Sequence, residues 1–149
     1  MTIKQQIHQQ YQQLVQDKID VFQDMIIGLT EDSKNDAKGS AGDKHETAMS
    51  MMHIEQEKIT HKLKDALNQK AVLDKIDGSS MHQKVAIGSL VSTNNLTVYM
   101  SVALPKITIN NQNIFAISPQ SPLGTYLMGK SVGFEFDING IKYMIQEIS

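Results

Sequence analysis

The first proline of this chain stands at position 105. Before it, apolar residues recur at steps of three and four: Ile3, Ile7, Tyr11, Leu14, then Phe22, Met25 and Leu29, with Gln, Lys, Asp and Glu between them. The stripe drifts near Lys18 and Ile19. That spacing predicts a long helix with one apolar face. A second stripe begins at Glu46 and keeps near-heptad spacing through Met52, Ile59, Leu63, Ala66 and Leu73. Between the two, TEDSKNDAKGSAGD is small, polar and glycine-containing, which breaks a helix and suits a turn. Each stripe can bury itself only against the other, so residues 1–76 are expected to form an antiparallel two-helix coiled coil. A helix over 46–75 would be about 45 Å long at 1.5 Å per residue, more than a small core needs. The hairpin is therefore expected to project, with residues 33–45 at its far tip.

The period then changes. DGSSMHQK ends the second helix, residues 77–83 read as a linker, and residues 84–149 form a second domain. Its runs VAIGSLVST, LTVYMSVAL, KITIN, NIFAIS, VGFEFDI and IKYMIQEI are β-rich, with alternation in Phe134, Phe136 and Ile138 and again in Ile141, Tyr143 and Ile145. Asn94-Asn95, Asn110-Asn111 and Asn139-Gly140 mark turns, and Asn-Gly suits the positive φ angles of a type I′ hairpin. SPLGTYLMGK places a short helix in this domain, starting at Pro122, a good first-turn residue. The fold class is α+β: the helical hairpin, then a small antiparallel β domain with one short helix.

Composition excludes several functions. The formal charge of -2 supplies no basic excess for bulk electrostatic binding of duplex DNA. With no cysteine there is neither disulfide nor thiolate chemistry. The polar start MTIKQQIHQQYQQ has no apolar run of signal-peptide type, and no run approaches a membrane span, so no membrane partner and a cytoplasmic placement are expected.

ISPQSPLGTYLMGKSVGFEF, with YMIQEI near the chain end, resembles the C-terminal domain of the Gre transcript-cleavage factors of bacterial RNA polymerase. Ile117, Ser118, Ser121, Pro122, Leu123, Gly124, Leu127, Gly129, Lys130, Val132 and Gly133 fit that family's pattern; Phe134 replaces its usual Asp and Tyr126 its usual Ala. Earlier, Gly42, Asp43, Glu46, Ala48 and Glu55 fit the family's coiled-coil tip, whereas Thr47, Met49, Ser50 and Ile54 depart from it. The resemblance implies a coiled coil inserted into the polymerase secondary channel and an FKBP-like C-terminal domain seated at the channel rim. It implies a polymerase-binding role for Ser121, Pro122, Leu123, Gly124, Gly129 and Lys130. Bacterial RNA polymerase and the 3′ end of the nascent RNA would be the partners.

Asp43 and Glu46 are the candidate catalytic and metal-binding residues, acting in trans. Phosphodiester cleavage at a two-metal centre clamps the attacking and leaving oxygens. Mg²⁺ is a hard ion that takes one or two carboxylates and keeps waters. The factor would have no cofactor of its own, using the Mg²⁺ of the polymerase, and would be no enzyme by itself. The same Asp-x-x-Glu ahead of a helical run is also an N-terminal cap, with Asp43 accepting the Glu46 N–H, and the acidic residues favour the helix dipole. The two roles are compatible. His45, His53 and His61 lie eight apart and drift around the helix, unlike an i, i+4 zinc pair. Lys38, Lys44, Lys58 and Lys62 read as a solvated face that can also meet RNA or polymerase acids.

The leading function is stimulation of cleavage of backtracked RNA; the alternative is a channel-binding regulator without chemistry. The departures at Thr47, Ser50 and Ile54 favour the alternative, the retained acidic pair the first. A peptidyl-prolyl isomerase is suggested only by the FKBP-like fold, and fold alone does not carry function.

Overall fold

The computed structural model describes residues 1–39 and 43–149, with side chains for 1–32 and 46–149. Element order follows the two periods. Helix α1 spans Ile3–Gly39 and α2 spans Asp43–Asp74; strands β1 Leu90–Thr93, β2 Thr97–Met100, β3 Leu104–Ile109 and β4 Gln112–Ile117 precede α3, Pro122–Leu127; β5 Glu135–Ile138 and β6 Ile141–Ile148 close the chain. Helix α1 runs through most of the polar segment expected to be a turn, and α2 begins at Asp43 rather than Glu46. Polar residues with no proline tolerate helix, and once a long helix is nucleated each added residue gains a backbone bond. The expected far tip, residues 33–45, lies outside the residues described with side chains.

By contacts the chain divides into two compact units, Gln13–Lys70 and Met1–Gln12 with Ala71–Ser149. In the first, α1 and α2 run antiparallel: Lys18 Nζ donates to Gln69 Oε1 at 3.0 Å, and further along Gln56 Nε2 donates to Thr30 Oγ1 at 2.8 Å. The buried seam is Val15 and Ile19 against Ile59 and Ala66, continued by half-buried Phe22, Ile26, Leu29, Met52 and Leu63. Met25 of the expected stripe is instead exposed, and Leu14 only half-buried.

In the second unit the six strands form one sheet of order β3-β4-β2-β1-β6-β5. The sheet is mixed: β2 pairs parallel with β4, whereas an all-antiparallel sheet was expected. After β2 the chain runs out along edge strand β3 and returns as β4 into the place between them, so β4 and β2 point the same way. Every residue of β2 is buried, because this central strand is covered on both faces. Val98 and Met100 join Val85, Val91, Leu127, Phe136 and Ile145 in one core. Tyr99 alternates to the other face, where the base of α1 packs: its ring stacks on Tyr11 at 6.3 Å and meets His8 edge-on. Tyr11 is fully buried, and its hydroxyl donates to the Pro105 carbonyl at 3.0 Å and the Ile114 carbonyl at 3.2 Å. Burial pushes the Tyr11 phenol up to about 12 and raises Tyr99 further, so both stay donors. The turns have the expected chemistry. Asn110 and Asn111 both take positive φ, as do Asn139 and Gly140, the signature of type I′ hairpins.

Candidate functional site

The acidic pair sits on the first turn of α2. Asp43 is the first helical residue and Glu46 follows one turn later, exposed. The Asp43 carboxylate, the cap it was expected to make and the geometry of the pair lie outside the described side chains, as does His45. Glu46 by its exposure fits an oxygen-only donor set open to a hard cation and its waters. Among the described residues no three His, Cys, Asp or Glu side chains cluster as a metal site. Thr47, Ser50 and Ile54, the departures from the tip pattern, are all exposed, Ile54 to 54%. His53 and His61, two turns apart on α2, line one open groove of about 610 Å³ with Glu57, Gln56, Thr60 and Ile26. Lys58 and Lys62 are exposed.

The second candidate region is the segment 117–134. Ser121 is the N-cap of α3: its Oγ accepts the Gly124 N–H at 3.0 Å and donates to the Ser118 carbonyl at 2.7 Å. Pro122 takes the first helical position, where its missing N–H costs nothing. Gly124 is buried, and a Cβ there would collide with the Ser118 carbonyl oxygen and lie 2.9 Å from Ser121 Oγ. Leu127 is fully buried and Leu123 partly so against the same core. Gly129 turns the chain with φ 77° and donates to the Val85 carbonyl at 2.8 Å, while the Lys130 carbonyl accepts the Val85 N–H at 2.9 Å. Of the six residues assigned to docking, Pro122, Gly129 and Lys130 are exposed, Ser121 and Leu123 half-buried and Gly124 buried.

An aromatic group stands beside them that sequence reasoning missed. Phe136 stacks at 5.1 Å on Tyr126 and at 5.2 Å on Tyr143, with Phe134 at 5.8 Å, and Lys130 Nζ lies 4.7 Å above the Phe134 ring. Phe136 is buried, while Tyr126 remains 45% exposed and neighbouring Val132 58%. Tyr126 and Phe134 are the two departures from the family pattern, and that coincidence was the available signal.

No family model matches the chain, and no curated protein matches it. Among solved structures, that of the transcription factor Gfh1 is similar, with 16% identity, a TM-score of 0.36 and 92% of each chain covered. A likeness that loose carries no functional weight. No described helix is long and apolar enough to cross a membrane.

Proposed function

We infer that this chain is a Gre-like transcription factor of bacterial RNA polymerase. In this reading the two-helix unit enters the secondary channel and stimulates cleavage of backtracked RNA. The observation that carries it is the exposed Glu46 one turn after Asp43, at the start of one of two long antiparallel helices, in a chain whose C-terminal motif resembles that family. Mg²⁺ in the polymerase centre supplies Lewis acidity and a water of lowered pKa. Asp43 and Glu46 would hold that ion and orient the water toward the RNA phosphate. Pro122, Lys130 and the exposed edge of Tyr126 offer the docking surface for the channel rim. The protein itself would be no enzyme, would carry no cofactor of its own and would work in the cytoplasm.

Asp43→Asn and Glu46→Gln keep size and most capping ability while removing charge. On a backtracked elongation complex, either is expected to slow cleavage at least about tenfold, about 1.4 kcal/mol of barrier. Polymerase affinity and helix content should hold, and raised Mg²⁺ should partly restore the rate. If the carboxylates only cap α2, these changes do little, whereas Asp43→Ala lowers stability by about 1 kcal/mol.

A second reading, a channel-binding regulator without chemistry, is favoured by one observation: Ile54 is apolar and exposed where the resemblance calls for a basic residue. Binding to polymerase without cleavage at any Mg²⁺ concentration would establish it in place of the first.

A further inference from the structure

Between Asp77 and Glu135 the chain holds no acidic residue, and its charged residues there are Lys84, Lys106 and Lys130. The acids of the sheet unit stand away from the face that α3 covers. Asp74 lies 3.4 Å from the Gln12 amide of α1, and Asp77 lines a groove with His8, on the side of the sheet where α1 packs. Phe136 and Tyr143 are cross-strand partners packed in or against the core beneath α3, so alternation turns Glu135, Asp137 and Lys142 to the opposite face. The Glu135–Lys142 ion pair at 3.2 Å agrees with that placement. Val91 and Ile148 likewise pair on the core side, which turns the next pair, Ser92 and Glu147, toward a groove shared with Ile3 of α1.

What the α3 face presents is aromatic and basic. Phe136 stacks on both Tyr126 and Tyr143, with ring planes 8° and 11° apart. The stack fixes the Tyr126 ring, yet the residue stays 45% exposed. Lys130 is exposed above Phe134, and exposed Lys84 precedes Val85, whose backbone bonds Gly129 and Lys130. A tyrosine ring held in place before binding offers a large contact area at little cost in conformational entropy. Lysines with no acid on their face attract an acidic partner and penalise a basic one. Two lysines are few for a nucleic-acid surface, which neutralises several phosphates. An aromatic anchor edged by charge is instead the composition of a protein interface.

We propose that the α3 face docks on an acidic protein surface, in which an apolar side chain covers the Tyr126 ring and a carboxylate meets Lys130. The proposal rests on the transcriptional reading and deepens it, since the acidic surface is assigned to polymerase. Phe136 under Tyr126 and Phe134 under Lys130 are positioning residues. The Ala and Asp usual at positions 126 and 134 in the Gre pattern would remove the anchor and set a carboxylate beside Lys130, so this docking chemistry is the chain's own.

The test is equilibrium binding of the full chain to core RNA polymerase free of nucleic acid, with circular dichroism melts to confirm that each variant folds. Tyr126→Ala and Lys130→Glu are each expected to weaken binding at least about tenfold, and Tyr126→Phe to bind as the parent does. Lys130→Met keeps an apolar stem over Phe134 and is expected to make affinity less sensitive to salt between about 50 and 300 mM. Lys142→Met removes the same charge from the opposite face and should leave both affinity and salt dependence unchanged. Folded Tyr126→Ala and Lys130→Glu chains that bind as the parent does would overturn the proposal, and the functional reading stands if the parent still stimulates cleavage. Equal effects of Lys130→Met and Lys142→Met would reduce the charge to a general one and overturn it as well. A parent that does not bind polymerase overturns both readings. Binding of the parent to a single-stranded RNA that is lost in Tyr126→Ala and Lys130→Glu would assign the face to nucleic acid instead.

Discussion

His8 shows how a single polar side chain ties a helix to a sheet. It is buried, and its Nδ1 lies 2.7 Å from the Tyr99 hydroxyl. Tyr99 holds its proton because burial raises its pKa, so the hydroxyl donates and the imidazole accepts as the neutral ring. Burial is also the main cause that lowers the pKa of His8, with Asp74 and Asp77 opposing it and Lys4 adding to it. His82 is lowered as well, again chiefly by burial; the buried Ser89 hydroxyl accepts the Ala86 N–H and sits 2.8 Å from His82 Nδ1. Both histidines bind a proton more readily unfolded than folded. Stability is therefore complete above the unfolded value near 6.5 and falls as pH drops through the lower folded values. Urea titrations between pH 7 and pH 5 should show that fall, with a shallower slope in His8→Gln. Tyr99→Phe removes the donor to a buried acceptor and is expected to cost about 1–3 kcal/mol at neutral pH. A pH slope unchanged in His8→Gln would remove His8 from this account.

At the scale of elements, the helical pair is specified by polar contacts as much as by its apolar seam. Thr30 donates to the Ile26 carbonyl of its own helix and accepts from Gln56 of the other; Lys18 reaches Gln69. Polar residues in such a seam fix register at a cost in stability. Thr30→Val with Gln56→Leu is expected to raise the midpoint of thermal unfolding while loosening register, seen as broadened exchange in the hairpin's amide spectrum; a lowered midpoint would make the pair a net stabiliser. The seam also shows the limit of reading helices from one sequence. Leu14-Val15 and Met25-Ile26 are adjacent apolar pairs, and either member continues a three-four spacing. Only the partner helix decides, and it selects Val15, Ile19 and Ile26, removing the apparent drift at Lys18. Strands were easier: all six runs became strands, since alternation and Asn turns are local. Their order was not, because alternation sets which face is buried and says nothing of neighbours, so the parallel β2–β4 pair had no local sign. The candidate site divides likewise. The Ser121 cap and Pro122 were legible as local chemistry, whereas the aromatic stack joins α3, β5 and β6 through the Phe136–Tyr143 register.

For the whole molecule, the compact units separate the two tasks that the functional reading assigns. The sheet unit includes Met1–Gln12 and Ala71 onward, so the strands do not stand by themselves. Ile7, Tyr11 and Leu73 are fully buried, and Tyr11 and His8 cover Tyr99, with Lys4 donating to the Ser80 carbonyl at 2.6 Å. A fragment of residues 84–149 loses all of these and leaves one face of the sheet, with Tyr99 at its centre, open to water. At about 25 cal/mol per Å² of apolar surface, removing even two or three such side chains costs several kcal/mol, comparable to the whole stability of a small domain. That fragment is expected to show no cooperative unfolding. Gln12 and Asp74 lie within hydrogen-bonding reach at 3.4 Å, so a short Gly-Ser link can replace residues 13–70 without straining either end. The linked chain is expected to unfold cooperatively, to bind polymerase weakly through the α3 region and to stimulate no cleavage. Circular dichroism melts of both chains test the fold, and a pull-down with a backtracked-complex cleavage assay tests the division. A cooperative melt from residues 84–149 alone would show the helix bases to be dispensable, and loss of all polymerase binding in the linked chain would move the main contact to the helical hairpin.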